Sequence, residues 1–200
     1  MSAGARAIAA IWDVSFAVRA GTTHVLAGRG GSGKSAIVRC VLGELKPESG
    51  RIAVLGLDPR RERRSLKRRV RFDEAEGAIR LETDPATTLL VTDDPRRAAT
   101  ADRVGFLKEG RLLLEEAVPV LLSRFRRIRY VNEMTETRTE YGNELDLFDA
   151  VRVKVRGWGV DAVVSNFDEA AFGRFRATDG VRDARADPMT VEEIFAAVVG

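Results

Sequence analysis

The stretch GRGGSGKS, Gly28 to Ser35, constrains the fold of this chain more than any other. It fills every required position of the phosphate-loop pattern, in which glycines, a lysine and a hydroxyl residue follow at fixed spacing. Its flanks suit that role. His24-Val25-Leu26-Ala27 reads as a short buried strand, and Lys34 to Leu42 reads as a helix with Ile37, Val38, Val41 and Leu42 on one side, closed by Gly43 in the C-cap position. Strand, glycine loop and helix in this order predict an α/β protein with a P-loop NTPase core.

The chemistry asks for these residue types. Gly28, Gly30, Gly31 and Gly33 are expected to take positive φ angles and bring the backbone close to a polyphosphate, so that successive N–H groups and the helix N-terminus point at negative charge. Lys34 would neutralise the β and γ phosphates, and Ser35 would offer its hydroxyl to Mg2+. The candidate nucleotide-binding residues are therefore Gly28, Arg29, Gly30, Gly31, Ser32, Gly33, Lys34, Ser35 and Ala36. His24, the one histidine, reads as a packed residue of the strand before the loop.

At 200 residues, 44% hydrophobic and 32% charged, the chain is that of a folded globular protein with one domain, or one domain and a small appendage. No apolar run has the length of a membrane span, and the N-terminus does not read as a signal peptide. A cytosolic site is expected, in agreement with a single cysteine, Cys40. One cysteine and one histidine argue against a zinc site. The net charge is +3, but Arg60 to Arg71, RRERRSLKRRVR, holds eight basic residues in twelve. Such a run suits nucleic acid or anionic lipid; it also reads as a solvated helix surface, and the lack of an accompanying aromatic platform disfavours nucleic acid.

Beyond the loop, IWDVSFAVRAGTTHVLAGRGGSGKSAIVRCVLGELKPESGRIAVLGLDPRR and TTLLVTDDPRRAATADRVGFLKEGRLLLEEAVPVLLSRFR together resemble the ATP-binding subunits of ABC transporters, especially ABC-2 type exporters. The tail DPMTVEEIFAAVVG is similar to the terminal helix of many such ATPases. The resemblance implies ATP and Mg2+ as cofactors, a homodimer or heterodimer, a membrane-spanning permease partner, and a place at the inner face of the cell membrane through that partner. It divides the chain into a shortened nucleotide-binding domain, residues 1–116, and a C-terminal α+β regulatory or dimerising domain, residues 117–200.

Within that resemblance, TTLLVTDDP, Thr87 to Pro95, has two readings. As the switch strand, which in the family leads through a helix to the ADRV strand, it places Asp93 where a γ-phosphate-sensing histidine stands, with Asp94 and Pro95 starting the helix. As the Walker B strand, it makes Asp93 a magnesium ligand beside Ser35 and Asp94 a stand-in for the catalytic glutamate. The switch reading fits the spacing to Ala101-Asp102-Arg103-Val104 better; Asp93 and Asp94 are the candidate catalytic residues on either.

Several family parts are missing. Arg60 to Ala86 fills the interval where the family has a glutamine loop, a helical subdomain, the LSGGQ signature and Walker B. No LSGGQ-like stretch and no glutamine occurs. Val70 to Glu82 offers Asp73, Glu74 and Glu76 there but no glutamine, and if the shortening is natural the core sheet lacks the Walker B strand and is expected to be strained, with the P-loop and switch strands meeting another way. No aromatic residue stands where the family stacks adenine; Trp12 is a weak substitute for it and is expected instead to pack on the core. Loss of each water-positioning or charge-stabilising group commonly costs roughly 3 kcal/mol of catalysis, so binding of ATP with weak or no hydrolysis is the expectation. The alternatives are a non-hydrolysing regulatory or structural protein and a nucleic-acid-associated P-loop protein.

In the last third, Ala117 to Phe125 reads as a connecting helix, Ile128 to Val131, Val151 to Val155 and Val160 to Ser165 as strands, Asn132 to Asn143 as a loop, and Asp168 to Arg176 as a helix. Thr190 and Glu193 form a capping box before Ile194, Phe195, Val198 and Val199. Nothing there makes a catalytic constellation.

Overall fold

The computed structural model describes residues 11–132 and 143–200. The chain divides into two compact units, one through Ala117 and one from Val118.

The first unit is built on a six-stranded sheet. Its strands are β1 (Thr23–Gly28), β2 (Val70–Asp73), β3 (Ala78–Leu81), β4 (Thr87–Thr92), β5 (Arg103–Lys108) and β6 (Arg111–Ala117), in the order β2-β3-β4-β1-β5-β6. β1 pairs in parallel with β4 on one side and β5 on the other, while β2, β3 and β6 add antiparallel edges. A strand covered on both faces must be apolar throughout, which is why β1 reads Val25-Leu26-Ala27 with all three residues fully buried. Each such valine or leucine contributes about 1.5–3 kcal/mol by leaving water.

Helix α1 (Lys34–Val41) covers one face of this sheet, setting Ile37 and Val38 against Leu26, Leu89, Val91 and Leu107. The N-terminal segment supplies Ile11, Val14, Phe16 and Val18 to the same cluster. Gly43, at φ 71°, ends the helix as expected. Trp12 corrects an expectation: it is 61% exposed, and Ile11 takes the inward place beside it.

The basic run is also not a helix surface in the expected sense. Only Arg63–Leu66 is helical (α2), a single turn with Leu66 buried, and by Val70 the chain has entered β2. A hairpin of β2 and β3 then extends the sheet beside β4, so the interval that looked too short for a core element supplies two strands. The P-loop strand and the strand ending at Asp93 meet by direct parallel pairing of β1 with β4 over five residues, Thr23 with Thr88 through Ala27 with Thr92.

The second unit has a four-stranded antiparallel sheet of β7 (Arg126–Asn132), β8 (Ala150–Arg156), β9 (Gly159–Val164) and β10 (Val181–Pro188), ordered β10-β7-β9-β8. Helices α3 (Val118–Arg124), α4 (Glu169–Arg176) and α5 (Val191–Val199) complete it. Phe172 and Phe175 of α4 pack against Ile128, Tyr130, Phe148 and Val160, with the Tyr130 and Phe175 rings edge to face at 5.0 Å. Asp168 caps α4 by accepting from the Ala171 N–H at 2.7 Å, and the Thr190–Glu193 capping box forms at α5. β10 was not foreseen, because Val181-Arg182-Asp183-Ala184 breaks its alternation at a bulge with Asp183 at φ 53°. The loop expected between Asn132 and Asn143 lies outside the described residues.

Candidate nucleotide site

The loop after β1 owes its shape to small residues used in different ways. Gly31 and Gly33 sit at φ 80° and 99°, which favour glycine. Gly28 does not have a positive φ; a Cβ there would lie 2.4 Å from Ser32 Oγ and 2.8 Å from the Leu107 carbonyl oxygen, so it is glycine for lack of room. Gly30 has neither constraint, since its φ is not positive and a Cβ would meet nothing within 4 Å. The expectation that all four need left-handed backbone is thereby corrected to two.

Lys34 is drawn into the middle of the loop. Its ammonium donates to the Gly28 carbonyl at 2.5 Å, the Arg29 carbonyl at 2.8 Å and Ser32 Oγ at 3.3 Å. Burial pushes its pKa down, and the negative charge of Asp93 works against that shift. Lys34 and Asp93 are thus electrostatically coupled across the ends of α1 and β4. Ser32 is buried, Ser35 stands exposed on the first turn of α1, and Ala36 is buried beneath it. Gly33 is the N-cap of α1 and carries no capping side chain, so its own position leaves the first-turn N–H groups without a side-chain cap.

Two contacts distant in sequence brace the loop. The Gly110 N–H, in the turn between β5 and β6, donates to the Ser32 carbonyl at 3.1 Å, and the Trp12 N–H donates to the Gly110 carbonyl at 2.9 Å. Ile11 and Gly110 also lie within 3.5 Å of where a Gly33 Cβ would be. Sequence reasoning missed this bracing, and no local pattern signals it.

The acidic pair separates by role. Asp93 is exposed at the carboxyl end of β4, next to the phosphate loop at the carboxyl end of β1. Asp94 is committed elsewhere. It caps the 3-10 turn Pro95–Ala98 by accepting from the Arg96 N–H at 3.0 Å, and the Arg96 guanidinium grips it at 2.8 and 2.9 Å. The Arg96 hydrogen bond holds its carboxyl below the usual carboxylate range.

Asp73, Glu74 and Glu76 belong to the tight β2–β3 connection, brought to the same end of the sheet because β3 runs antiparallel to β4. Arg80 pairs with Asp73 at 3.4 Å and with Glu76, while Arg97 donates to the Glu76 carbonyl oxygen at 2.7 Å. Among the described residues no group of three or more His, Cys, Asp or Glu forms a metal cluster.

His24 is fully buried on β1, with Nε2 3.8 Å from Glu115 Oε1 and its ring 5.5 Å from that of Phe16. Burial lowers its pKa, and Glu115 opposes the shift. Glu115 itself is held by Arg103 through two bonds of 2.7 Å. This cluster packs the sheet behind the loop and does not face it.

A parallel strand that ends in a braced glycine loop, with a lysine at its centre and an uncapped helix N-terminus beyond, defines a P-loop nucleotide-binding fold. The chain belongs to the ABC transporter family, whose profile matches residues 11–155. It is similar to the arabinose import ATP-binding protein AraG of Ralstonia nicotianae, 30% identical over 110 residues, 52% of this chain and 19% of that protein. It also resembles the cytochrome c biogenesis ATP-binding export protein CcmA of Agrobacterium fabrum, 48% identical over 44 residues, 22% of this chain and 21% of that protein. The Nod factor export ATP-binding protein I of Neorhizobium galegae is 52% identical over 45 residues, 22% of this chain and 13% of that protein. The chain spans 10 to 21% of the length of the curated relatives it matches, and these include import as well as export proteins. Among the described residues, no helix is long and apolar enough to cross a membrane.

Proposed function

We propose that this chain binds Mg-ATP through Gly28 to Ala36 as an ATP-binding subunit of an ABC-type transporter, of the ABC-2 exporter-like class, with hydrolysis weak or lost. The observation that carries the reading is the position of the Lys34 ammonium among the loop carbonyls, at the carboxyl end of a parallel sheet, where ligands of open α/β folds collect. The residues fit the group. The close approach at Gly28 and the left-handed Gly31 and Gly33 make a backbone cradle, and Mg2+ normally needs one or two protein oxygens besides phosphate and water.

Lys34 would exchange its bonds to loop oxygens for bonds to the β and γ phosphates. Ser35 would give its hydroxyl to the metal, which Asp93 would join only on the Walker B reading of β4. When bound, Mg2+ would neutralise negative charge on the β and γ phosphates. β4 is followed by a short 3-10 turn and then β5, the order expected of a switch strand, so Asp93 is assigned the place of the phosphate-sensing histidine. Since Arg96 occupies Asp94, that carboxylate is assigned to capping instead of general-base work. This favours the regulatory, non-hydrolysing variant of the same reading.

We further assign nucleotide binding to residues 1–116 and a regulatory or dimerising role to 117–200, with a second ATP-binding subunit and a membrane permease as partners and the cytoplasmic membrane face as location. The test is nucleotide binding and Mg2+-dependent phosphate release by the chain and by Lys34→Ala. Binding lost in the variant with no release by either protein supports the proposal; release that depends on Lys34 overturns the loss of hydrolysis, and no binding by the parent chain overturns the site.

A further inference from the structure

The nucleotide reading makes no use of the basic run. Four of its side chains, Arg64, Lys67, Arg68 and Arg69, are exposed, and among the described residues none has an ion-pair partner. Their neighbours differ: Arg61 leans on Asp58 at 3.7 Å, Arg63 on Glu44 at 3.7 Å and Arg71 on Glu82 at 3.1 Å. Leu66, 5% exposed, anchors the single turn of α2 into the core, which leaves the charged side chains around it directed to solvent. Phe72 follows on β2, the edge strand of the sheet, and is 39% exposed.

We propose that this surface, α2 with the turn into β2, docks on an anionic lipid bilayer. Unpaired cations on one short turn concentrate positive potential, and arginine's planar fork suits phosphate oxygens. An exposed ring beside them can enter the headgroup region, the arrangement of interfacial membrane-binding surfaces. Nucleic acid is the competing polyanion. A single-stranded site stacks successive bases on several aromatic rings, whereas the run itself holds none and Phe72 is the one exposed aromatic directly beside it. The choice of lipid rests on the transporter reading, which brings the chain to a membrane; direct headgroup contact goes beyond it by giving the chain a grip on the bilayer that needs no permease.

The experiment is co-sedimentation of the full chain with phosphatidylcholine vesicles, with and without phosphatidylglycerol, in the absence of nucleotide. It compares R64Q/K67Q/R68Q/R69Q with R152Q/K154Q/R156Q/R174Q, a control that removes equal charge from exposed positions of the second unit. Each cation near an anionic surface is worth about fivefold in binding, so loss of four is expected to weaken binding to phosphatidylglycerol vesicles by roughly 600-fold. The control is expected to bind nearly as the parent does, and added salt to weaken the parent. Equal loss in both variants would mean net charge and not this patch, and would overturn the proposal. So would failure of the parent to bind anionic vesicles, equal binding to neutral ones, or tight binding of an oligonucleotide with none of vesicles. Because nucleotide is left out, a chain that binds anionic vesicles through this patch but no ATP refutes the nucleotide reading and leaves this one standing.

Discussion

Two glycines two positions apart in the loop carry opposite expectations. In Gly28→Ala the new Cβ would sit 2.4 Å from Ser32 Oγ and 2.8 Å from the Leu107 carbonyl oxygen. Ser32 can turn its hydroxyl away, though that disturbs an acceptor of Lys34; the Leu107 oxygen is backbone of β5 and can move only with its strand. Overpacking of this kind typically costs about 1–3 kcal/mol. For a chain of this size each kcal/mol lowers the melting temperature by roughly 2–4 °C, so a fall of about 2–12 °C is expected. Gly30→Ala meets open space without a positive φ, and its melting temperature should stay within about 2 °C of the parent, as for surface substitutions that create no strain. Differential scanning calorimetry on the three proteins, paired with titration of a fluorescent ATP analogue, makes the comparison. Equal stability of Gly28→Ala and parent, or a Gly30→Ala protein as damaged as Gly28→Ala, would refute the steric account of the loop.

Other outcomes follow from the same geometry. Lys34→Ala should weaken ATP binding by roughly 10- to 100-fold, since a hydrogen bond to a charged group contributes about 1.5–3 kcal/mol; isothermal titration measures it, and unchanged affinity would remove Lys34 from the site. Burial lowers the pKa of His24 from its model-compound value of 6.5, so on acidification the unfolded chain takes up that proton first. Stability should therefore decline as the pH falls below about 6.5, the unperturbed histidine value, measured as the urea midpoint against pH; His24→Leu should flatten that stretch of the curve. Glu115 adds a second decline at lower pH, because Arg103 holds its carboxyl below the ordinary 4.5 and the stabilisation is lost as the pH falls through that lowered value. Thr190→Ala removes half of the α5 capping box and should cost about 1 kcal/mol in chemical denaturation, whereas an unchanged midpoint would mean that the helix start is held by other contacts.

What the sequence determined by itself is what neighbours along the chain decide. The strand, loop and helix around Gly28 to Ser35, the helix beginning at Asp168, the capping box at Thr190 and the period-two strands of the second unit were legible because turns, caps and periodicity act over a few residues. The phosphate loop was legible as a site for the same reason, since its ligand groups come from one continuous segment. Tertiary structure decided the rest. Whether Arg60 to Asp73 is a helix or the approach to an edge strand depended on β4 offering β3 a partner. Trp12 turned outward because Ile11 took the apolar place. Which glycine needs its missing Cβ was settled by the Leu107 carbonyl oxygen, 79 positions along the chain from Gly28. Such contacts leave no local trace, because steric exclusion and strand pairing act between surfaces that meet only once the sheet has formed.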